Sequence, residues 1–152
     1  MALNYIKKYL SKEDLEEIKN EIGKIESVTS GEIRLCFKLK KGFHERKLTY
    51  KELALKEFYS LDMQKTLEKT GILIFILFKE RKFEVIADEG INSKIHQDTW
   101  DIIIHHLNSE FSKGEYKAGI IKCLNELRQI LEKEFPVKPD DKNELPNDIV
   151  IE

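Results

Sequence analysis

Cysteine, proline and tryptophan are scarce in this sequence, which has two cysteines, three prolines and one tryptophan among 152 residues. The two cysteines, Cys36 and Cys123, lie far apart, so no CxxC pair is available for zinc. Each of them occurs in an apolar pattern, and we therefore expect two buried free thiols. Free thiols are typical of a reducing compartment, so the sequence predicts a cytoplasmic location.

The sequence also lacks a long apolar run and an excess of charge of one sign. The continuous apolar run at residues 72–78 is too short to cross a bilayer, and the first residues, MALNYIKKYLSKED, have neither an apolar h-region nor a small-residue cleavage site. We expect no signal peptide and no direct membrane insertion. A net charge of -2 gives no global attraction for nucleic acid, so no nucleic-acid partner is expected. The composition, 41% hydrophobic and 36% charged, is typical of one soluble globular domain.

Signatures of familiar enzyme classes are also missing. The sequence has no P-loop, no glycine-rich phosphate loop and no GxSxG motif, which argues against P-loop kinases and serine hydrolases. Neither cysteine precedes a glycine-rich turn that ends in arginine, so a cysteine nucleophile is not expected. His96, His105 and His106 show no HxxxH spacing, and surface positions explain them better than a zinc site does.

The most informative stretch is residues 70–91, TGILIFILFKERKFEVIADEGI. Its apolar run follows Gly71 and is rich in β-branched and aromatic residues, which predicts a strand buried on both faces. Residues 79–81 are polar and can turn the chain, and residues 83–87 then predict the second strand of a hairpin. The hairpin ends in Asp88 and Glu89 beside Gly90, and this acid pair is the best candidate site in the sequence.

The flanking segments predict an α-β-α-β-β-α-α order. Capping boxes begin helices at Ser11 and Thr49, and alternation over residues 32–40 predicts the first strand. Asp98 can cap a third helix with an apolar stripe from Trp100 onward, and a fourth helix ends before Pro136. We assign residues 1–135 to one domain and residues 136–152 to an extended tail that can dock on it.

This order places several oxygen-bearing side chains at one edge of a mixed sheet. The first two strands flank a helix, so we expect them to be parallel, and the hairpin makes the third antiparallel. The starts of the first two strands and the end of the third then share one edge. The residues expected there are Glu32, Asp62, Thr70, Gly71, Asp88 and Glu89. The opposite edge collects basic residues, namely Lys40, Lys41, His44, Arg46, Lys47, Lys79, Arg81 and Lys82.

Each edge has two interpretations. Clustered carboxylates are hard oxygen ligands suited to Ca²⁺ or Mg²⁺, and they can also position water for hydrolysis. Alternatively, Asp88 and Glu89 only end the hairpin as turn and cap residues. The basic edge can bind phosphate or an acidic partner, or it can be a solvated loop.

Several segments together resemble the TPM-domain family, over residues 10–149. They are Ser30-Gly31-Glu32-Ile33-Arg34, Phe58-Tyr59-Ser60-Leu61-Asp62-Met63 with Lys65-Thr66, Thr70-Gly71-Ile72-Leu73-Ile74, Ile86-Ala87-Asp88-Glu89-Gly90-Ile91, Trp100, Phe111 with Gly114 and Tyr116, and Asn143-Glu144-Leu145-Pro146. The family includes photosystem II repair proteins of the thylakoid lumen that are described as acid phosphatases. Without a transmembrane helix or a glycine-rich tail, this chain resembles the short cytoplasmic bacterial branch.

The resemblance implies a three-layer α/β/α sandwich with a mixed, roughly four-stranded sheet. It also implies a divalent-metal site, often for calcium, at the carboxylate end of the sheet. The positions carried over are Asp88, Gly90, Glu32, Asp62 and Thr66.

Two functions are compatible with these expectations. We favour a non-catalytic accessory or adaptor domain that binds Ca²⁺ or Mg²⁺, as a monomer, beside a membrane-associated protein partner. The alternative is a slow metal-dependent acid phosphatase. In that alternative, Asp88 and Asp62 would hold the metal while Glu89 or Glu32 would position water, with Thr66, Thr70 and Gly90 lining the site.

Overall fold

A computed structural model describes residues 2–139, 144–146 and 148–152, so Asn143 of the tail motif lies outside the described residues. Within them the chain forms five α-helices and four strands. The helices are α1 (Lys12–Glu26), α2 (Tyr50–Ser60), α3 (Glu89–Asn92), α4 (Gln97–Ser112) and α5 (Tyr116–Glu134). The strands are β1 (Glu32–Lys38), β2 (Gly71–Leu77), β3 (Lys82–Ala87) and β4 (Val150–Ile151), and short 3-10 helices form at Ala2–Lys8 and Phe43–Glu45.

The strands form a single mixed sheet in the order β3-β2-β1-β4. β1 is parallel to β2 and to β4, whereas β3 is antiparallel to β2. Glu32 lies opposite Gly71, and Ile72 lies opposite Ala87. The predicted directions of the first three strands are therefore confirmed, and the fourth strand comes from the C-terminal tail.

Helices cover both faces of this sheet, which confirms the predicted three-layer α/β/α sandwich. Alternate β1 residues Ile33, Leu35 and Phe37 face α1, α4 and α5, and this side forms the larger core. Cys36 faces the other side, where α2 and Leu145 of the tail form a smaller core. β2 is apolar throughout because side chains on both of its faces are buried.

Local capping signals are confirmed at two helices and wrong at a third. Ser11 and Thr49 accept hydrogen bonds from Asp14 N and Glu52 N and complete capping boxes. α4 begins one residue before Asp98, with His96 as its N-cap residue, so Asp98 lies in the first turn instead of capping it. A carboxylate in the first turn is still favourable, because it interacts with the positive end of the helix dipole.

Cys36 and Cys123 are both buried and free, as the sequence predicts. No helix in the described part of the chain is long and apolar enough to cross a membrane.

Candidate functional site

The acid rim is the edge of the sheet at which β1 and β2 begin and β3 ends. Backbone hydrogen bonds join its three segments. Glu32 N donates to Thr70 O at 2.9 Å, and Asp88 N donates to Gly71 O at the same distance. The three strand ends therefore lie next to one another, as the sequence predicts.

Glu32 holds the tail against the rim. Its side chain is only 4% exposed. Its Oε1 accepts hydrogen bonds from Glu144 N at 2.5 Å and from Leu145 N at 2.8 Å. Hydrogen bonds to a charged acceptor are among the stronger ones in proteins. Glu32 therefore has a structural role in docking residues 144–145, whatever else it binds.

Glu26 is a rim carboxylate that the sequence reasoning missed. As the last residue of α1, it accepts a hydrogen bond from Ile33 N at 3.1 Å through Oε2. Its Oε1 is buried and makes no hydrogen bond within the described residues. Burial, together with the nearby charge of Glu32, raises the pKa of Glu26 to about 7. One signal existed in the sequence, since Glu26 follows Ile22 by four residues and so lies beside the apolar stripe of α1.

Asp88 combines a capping role with an unused oxygen. Its Oδ1 accepts a hydrogen bond from Glu89 N at 2.8 Å and caps α3, a single helical turn. Its Oδ2 is buried and has no hydrogen-bond partner in the part of the chain that the structure describes. Glu89 is exposed. The cap interpretation thus accounts for one carboxylate oxygen of Asp88 and leaves the other without a role.

Gly90 allows the segment before β2 to approach the rim closely. A Cβ atom at this position would lie 2.2 Å from Glu68 O and 2.4 Å from Lys69 O. Thr66 Oγ1 accepts a hydrogen bond from Thr70 N at 3.0 Å, and both threonines are buried. Gly90, Thr66 and Thr70 therefore pack two backbone carbonyl oxygens next to the turn that Asp88 begins.

Asp62 lies apart from these residues. Its backbone φ is +57°, and its exposed carboxylate pairs with Lys65 Nζ at 3.3 Å. It lines a cavity of about 460 Å³ together with Arg34, Lys65 and tail residues 144–146. Thr70 and Gly90 line a different cavity of about 480 Å³, between the start of β2 and residues 134–139. Asp62 therefore lines a different cavity from Thr70 and Gly90.

The four predicted metal ligands do not form a ready cluster. Within the described residues, the group of three or more possible ligand atoms within 4.8 Å of one another consists of Cys36, Glu57 and Glu152. A four-carboxylate site made of Glu32, Asp62, Asp88 and Glu89 therefore stays a prediction.

The Cys36, Glu57 and Glu152 group lies on the α2 side of the sheet and was not predicted. Burial, together with a hydrogen bond to Glu152, raises the pKa of Glu57 to about 7, because the two carboxyl groups need a proton between them. Burial likewise raises the pKa of the Cys36 thiol. A thiol that stays protonated is a poor nucleophile, which agrees with the absence of a cysteine-phosphatase signature.

The chain is similar to known proteins in sequence and in structure. The family model for the TPM domain matches residues 5–130. No curated protein sequence matches the chain. The NMR structure of the BA42 protein from the psychrophilic bacterium Bizionia argentinensis is 30% identical, with a TM-score of 0.84 over 93% of this chain and 94% of that one.

Two further solved structures share the fold at lower identity. The N-terminal domain of a P. gingivalis protein is 18% identical, with a TM-score of 0.68 over 84% of this chain and 79% of that one. The N-terminal domain of the cg2496 protein of Corynebacterium glutamicum is 9% identical, with a TM-score of 0.61 over 80% and 74%. Because the family model covers most of the sequence, the chain belongs to the TPM-domain family.

Proposed function

We propose that this chain is a non-catalytic accessory domain that binds a divalent cation, Ca²⁺ or Mg²⁺, at the acid rim. The observation that carries the proposal is the Oδ2 atom of Asp88, which is buried without a hydrogen-bond partner in the described residues. An oxygen that carries negative charge is costly to bury unless a cation or a donor compensates it. A bound metal ion would supply that compensation.

The donors around Asp88 fit a hard cation. Ca²⁺ is bound by carboxylates and by backbone carbonyls, and Mg²⁺ by fewer protein oxygens and more water. Asp88 and Glu89 supply carboxylates, and the carbonyl oxygens of Glu68 and Lys69 are packed against the neighbouring Gly90. Elsewhere on the rim, beside Ile33 and Glu32, Glu26 also has a buried oxygen without a hydrogen-bond partner among the described residues.

The other two predicted ligands require a rearrangement to take part. Glu32 already accepts two backbone hydrogen bonds from the tail, and Asp62 would have to leave Lys65. We therefore assign the main ligand role to Asp88, with Glu89 as the exposed second carboxylate and Glu32 and Asp62 as outer ligands.

Hydrolysis of phosphate esters is the alternative that the family resemblance implies. A metal-dependent phosphatase needs a water or another nucleophile held by a tight, partly dry metal centre. Glu89 is exposed, and the rim carboxylates do not form a cluster of three ligands within the described residues. These features favour binding over turnover.

An NMR titration with Ca²⁺, followed by Mg²⁺, tests the proposal. We expect saturable amide shifts at residues 88–90 and 66–71. Asp88→Asn should weaken binding by about tenfold or more, since even the outer partners of a metal ligand contribute that much. Asp101→Asn is the matched control, because Asp101 is an exposed aspartate of α4 whose Oδ1 acceptor is retained in asparagine.

Two results would overturn the proposal. One is the absence of saturable shifts at millimolar metal, and the other is an equal loss of affinity in both variants. If the parent hydrolyses a generic phosphate ester and Asp88→Asn does not, the result would favour the phosphatase instead.

The accessory role carries further expectations. We propose a cytoplasmic monomer that acts beside a membrane-associated protein. Sedimentation equilibrium at several protein concentrations tests the monomeric state, and a mass that rises with concentration would contradict it.

A further inference from the structure

A basic surface lies at the end of the sheet opposite the acid rim. It consists of the loop after β1 and the β2–β3 turn, with the cationic residues Lys40, Lys41, Arg46, Lys47, Lys79, Arg81 and Lys82. All of these except Lys41 are exposed. The whole chain has a net charge of -2, so this positive charge is a local feature.

Two acidic residues of this region, Glu45 and Glu80, are turned inward. Glu45 is only 7% exposed and pairs with Lys38 Nζ at 2.6 Å and with Lys56 Nζ at 3.6 Å. Glu80 accepts hydrogen bonds from Lys41 N and from the Tyr50 hydroxyl, both at 3.0 Å. Among the described residues, none of the six exposed cations forms an ion pair with a carboxylate. The outer face of the basic surface is therefore mainly positive, with Glu52 at the start of α2 as an exposed carboxylate near Lys41.

Glu80 and Lys41 also fix the two loops relative to each other. Glu80 belongs to the turn, and its hydrogen bonds join that turn to the loop after β1 and to α2. Lys41 Nζ donates to Leu48 O at 2.5 Å and lies 4.3 Å from the centre of the Tyr50 ring. The space between the loops is an open cavity of about 800 Å³ that Lys40, Arg46 and Lys79 line.

Phe43 is the most unusual residue of this surface. Its side chain is 74% exposed, although an aromatic ring normally packs in a core. It lies in the short 3-10 helix of the loop, and the Arg46 guanidinium lies 4.9 Å from its ring centre. An apolar ring is thus presented to the outside in the middle of a cluster of cations.

We infer that the basic surface binds an anionic lipid membrane peripherally, with Phe43 entering the headgroup region. Stable attachment to a membrane takes two signals, and basic residues together with an apolar group are one such pair. The cations supply attraction to anionic headgroups, and the cavity between the loops can admit a lipid phosphate. An acidic peptide would be attracted by the same charges but would give no reason for an exposed phenylalanine at their centre.

The inference goes beyond the proposed cation site and does not depend on it. The acid rim lies at the other end of the strands, so a chain docked by its basic surface would keep the acid rim facing away from the lipid. Both surfaces can therefore be occupied at once, and the two proposals can fail separately.

Sedimentation with vesicles tests the inference on the full chain. The probes are vesicles of phosphatidylcholine alone and of phosphatidylcholine mixed with phosphatidylglycerol. We expect binding to the mixed vesicles only, and weaker binding as salt is raised. Arg46→Gln with Lys47→Gln should lower the partition coefficient by roughly tenfold or more, because each cation near the surface contributes about fivefold.

Two further variants test whether the position of the charges matters and whether charge is sufficient without the Phe43 ring. Lys122→Gln with Lys133→Gln removes the same charge from exposed positions on α5 and should leave binding unchanged. Phe43→Ser keeps every charge and should weaken binding by about fivefold or more, because the apolar signal is lost.

Three outcomes would overturn the inference. They are equal binding to both kinds of vesicle or to neither, an equal loss in the two double variants, and full binding by Phe43→Ser. If a soluble acidic peptide displaces the chain from the vesicles and also binds Phe43→Ser as well as it binds the parent, that pair of results would assign the basic surface to a protein partner instead.

Discussion

The half-buried carboxylate of Glu26 predicts a measurable dependence of stability on pH. Its pKa is about 7 in the folded chain, whereas the ordinary value is 4.5. Between these values the folded state holds the proton and the unfolded chain releases it, so the free energy of unfolding falls as pH rises. Below about pH 4.5 both states are protonated, and the penalty for ionising Glu26 in the fold is absent.

The size of the effect follows from the two pKa values. Each pH unit between them contributes about 1.4 kcal/mol, so ionisation costs the fold up to about 3 kcal/mol above neutral pH. Glu26→Gln removes this cost. The amide oxygen can keep the hydrogen bond from Ile33 N, and a neutral amide no longer repels the Glu32 carboxylate.

Urea unfolding at about pH 5 and at about pH 8 measures the difference, with a chelator present so that no metal ion compensates the same charge. Trp100 is the single tryptophan and is buried, so its fluorescence reports unfolding. The gain in stability of Glu26→Gln over the parent should grow by about 2 to 3 kcal/mol between the two pH values. Other titrating groups contribute equally to the parent and to the variant, so their effect on stability cancels in the difference.

Glu16→Gln is the control, because Glu16 is an exposed carboxylate of the same helix. A gain for Glu26→Gln that is the same at both pH values would show that the effect does not arise from ionisation of Glu26.

Three other substitutions probe the site and its surroundings. Glu57→Gln should also stabilise the fold more at about pH 8 than at about pH 5, because the pKa of Glu57 is raised to about 7, and a gain independent of pH would contradict the shared proton. Glu32→Ala should lower the hydrogen-exchange protection of Glu144 and Leu145, which lose an acceptor worth roughly 1 to 3 kcal/mol, whereas Glu32→Gln keeps that oxygen. Equal protection in the two Glu32 variants would argue against this role. Gly90→Ala should lower the free energy of unfolding by about 2 kcal/mol or more, because its Cβ would meet Glu68 O at 2.2 Å, and Gly23→Ala, where nothing lies within 4 Å, is the control.

The spacing of apolar and polar residues along the sequence predicted the layers of this fold, because each of these signals is local. β1 alternates apolar and polar residues, which is typical of a strand with one more polar face. β2 is a continuous apolar run, which is typical of a strand buried on both faces. Capping boxes at Ser11 and Thr49 depend only on residues three positions apart. From these elements the parallel and antiparallel directions follow, and with them the edge where Glu32, Gly71 and Ala87 meet.

The direction of individual side chains was much less predictable. Asp62 occupies a turn with positive φ, and its carboxylate pairs with Lys65. Glu32 is held by backbone groups of a tail more than a hundred positions away. Neither contact leaves a periodic signal, so a site predicted from strand ends alone includes residues that face elsewhere.

The buried Glu57 and the half-buried Glu26 were missed because acidic residues on helices normally lie at the surface. Glu57 lies four positions after Leu53 and next to Phe58, beside the apolar stripe of α2, just as Glu26 lies beside the stripe of α1. A carboxylate next to an apolar stripe is a usable signal for burial. The partners that such residues meet, Glu152 for Glu57 and Glu32 for Glu26, depend on how distant segments pack.

The cation site at the acid rim is tested most directly by a Ca²⁺ titration of the parent chain and of Asp88→Asn, followed by amide shifts. We expect saturable shifts concentrated at residues 88–90 and 66–71 of the parent, and their loss or strong weakening in the variant. Shifts that do not saturate, or that persist unchanged without the Asp88 carboxylate, would contradict a cation site at the acid rim.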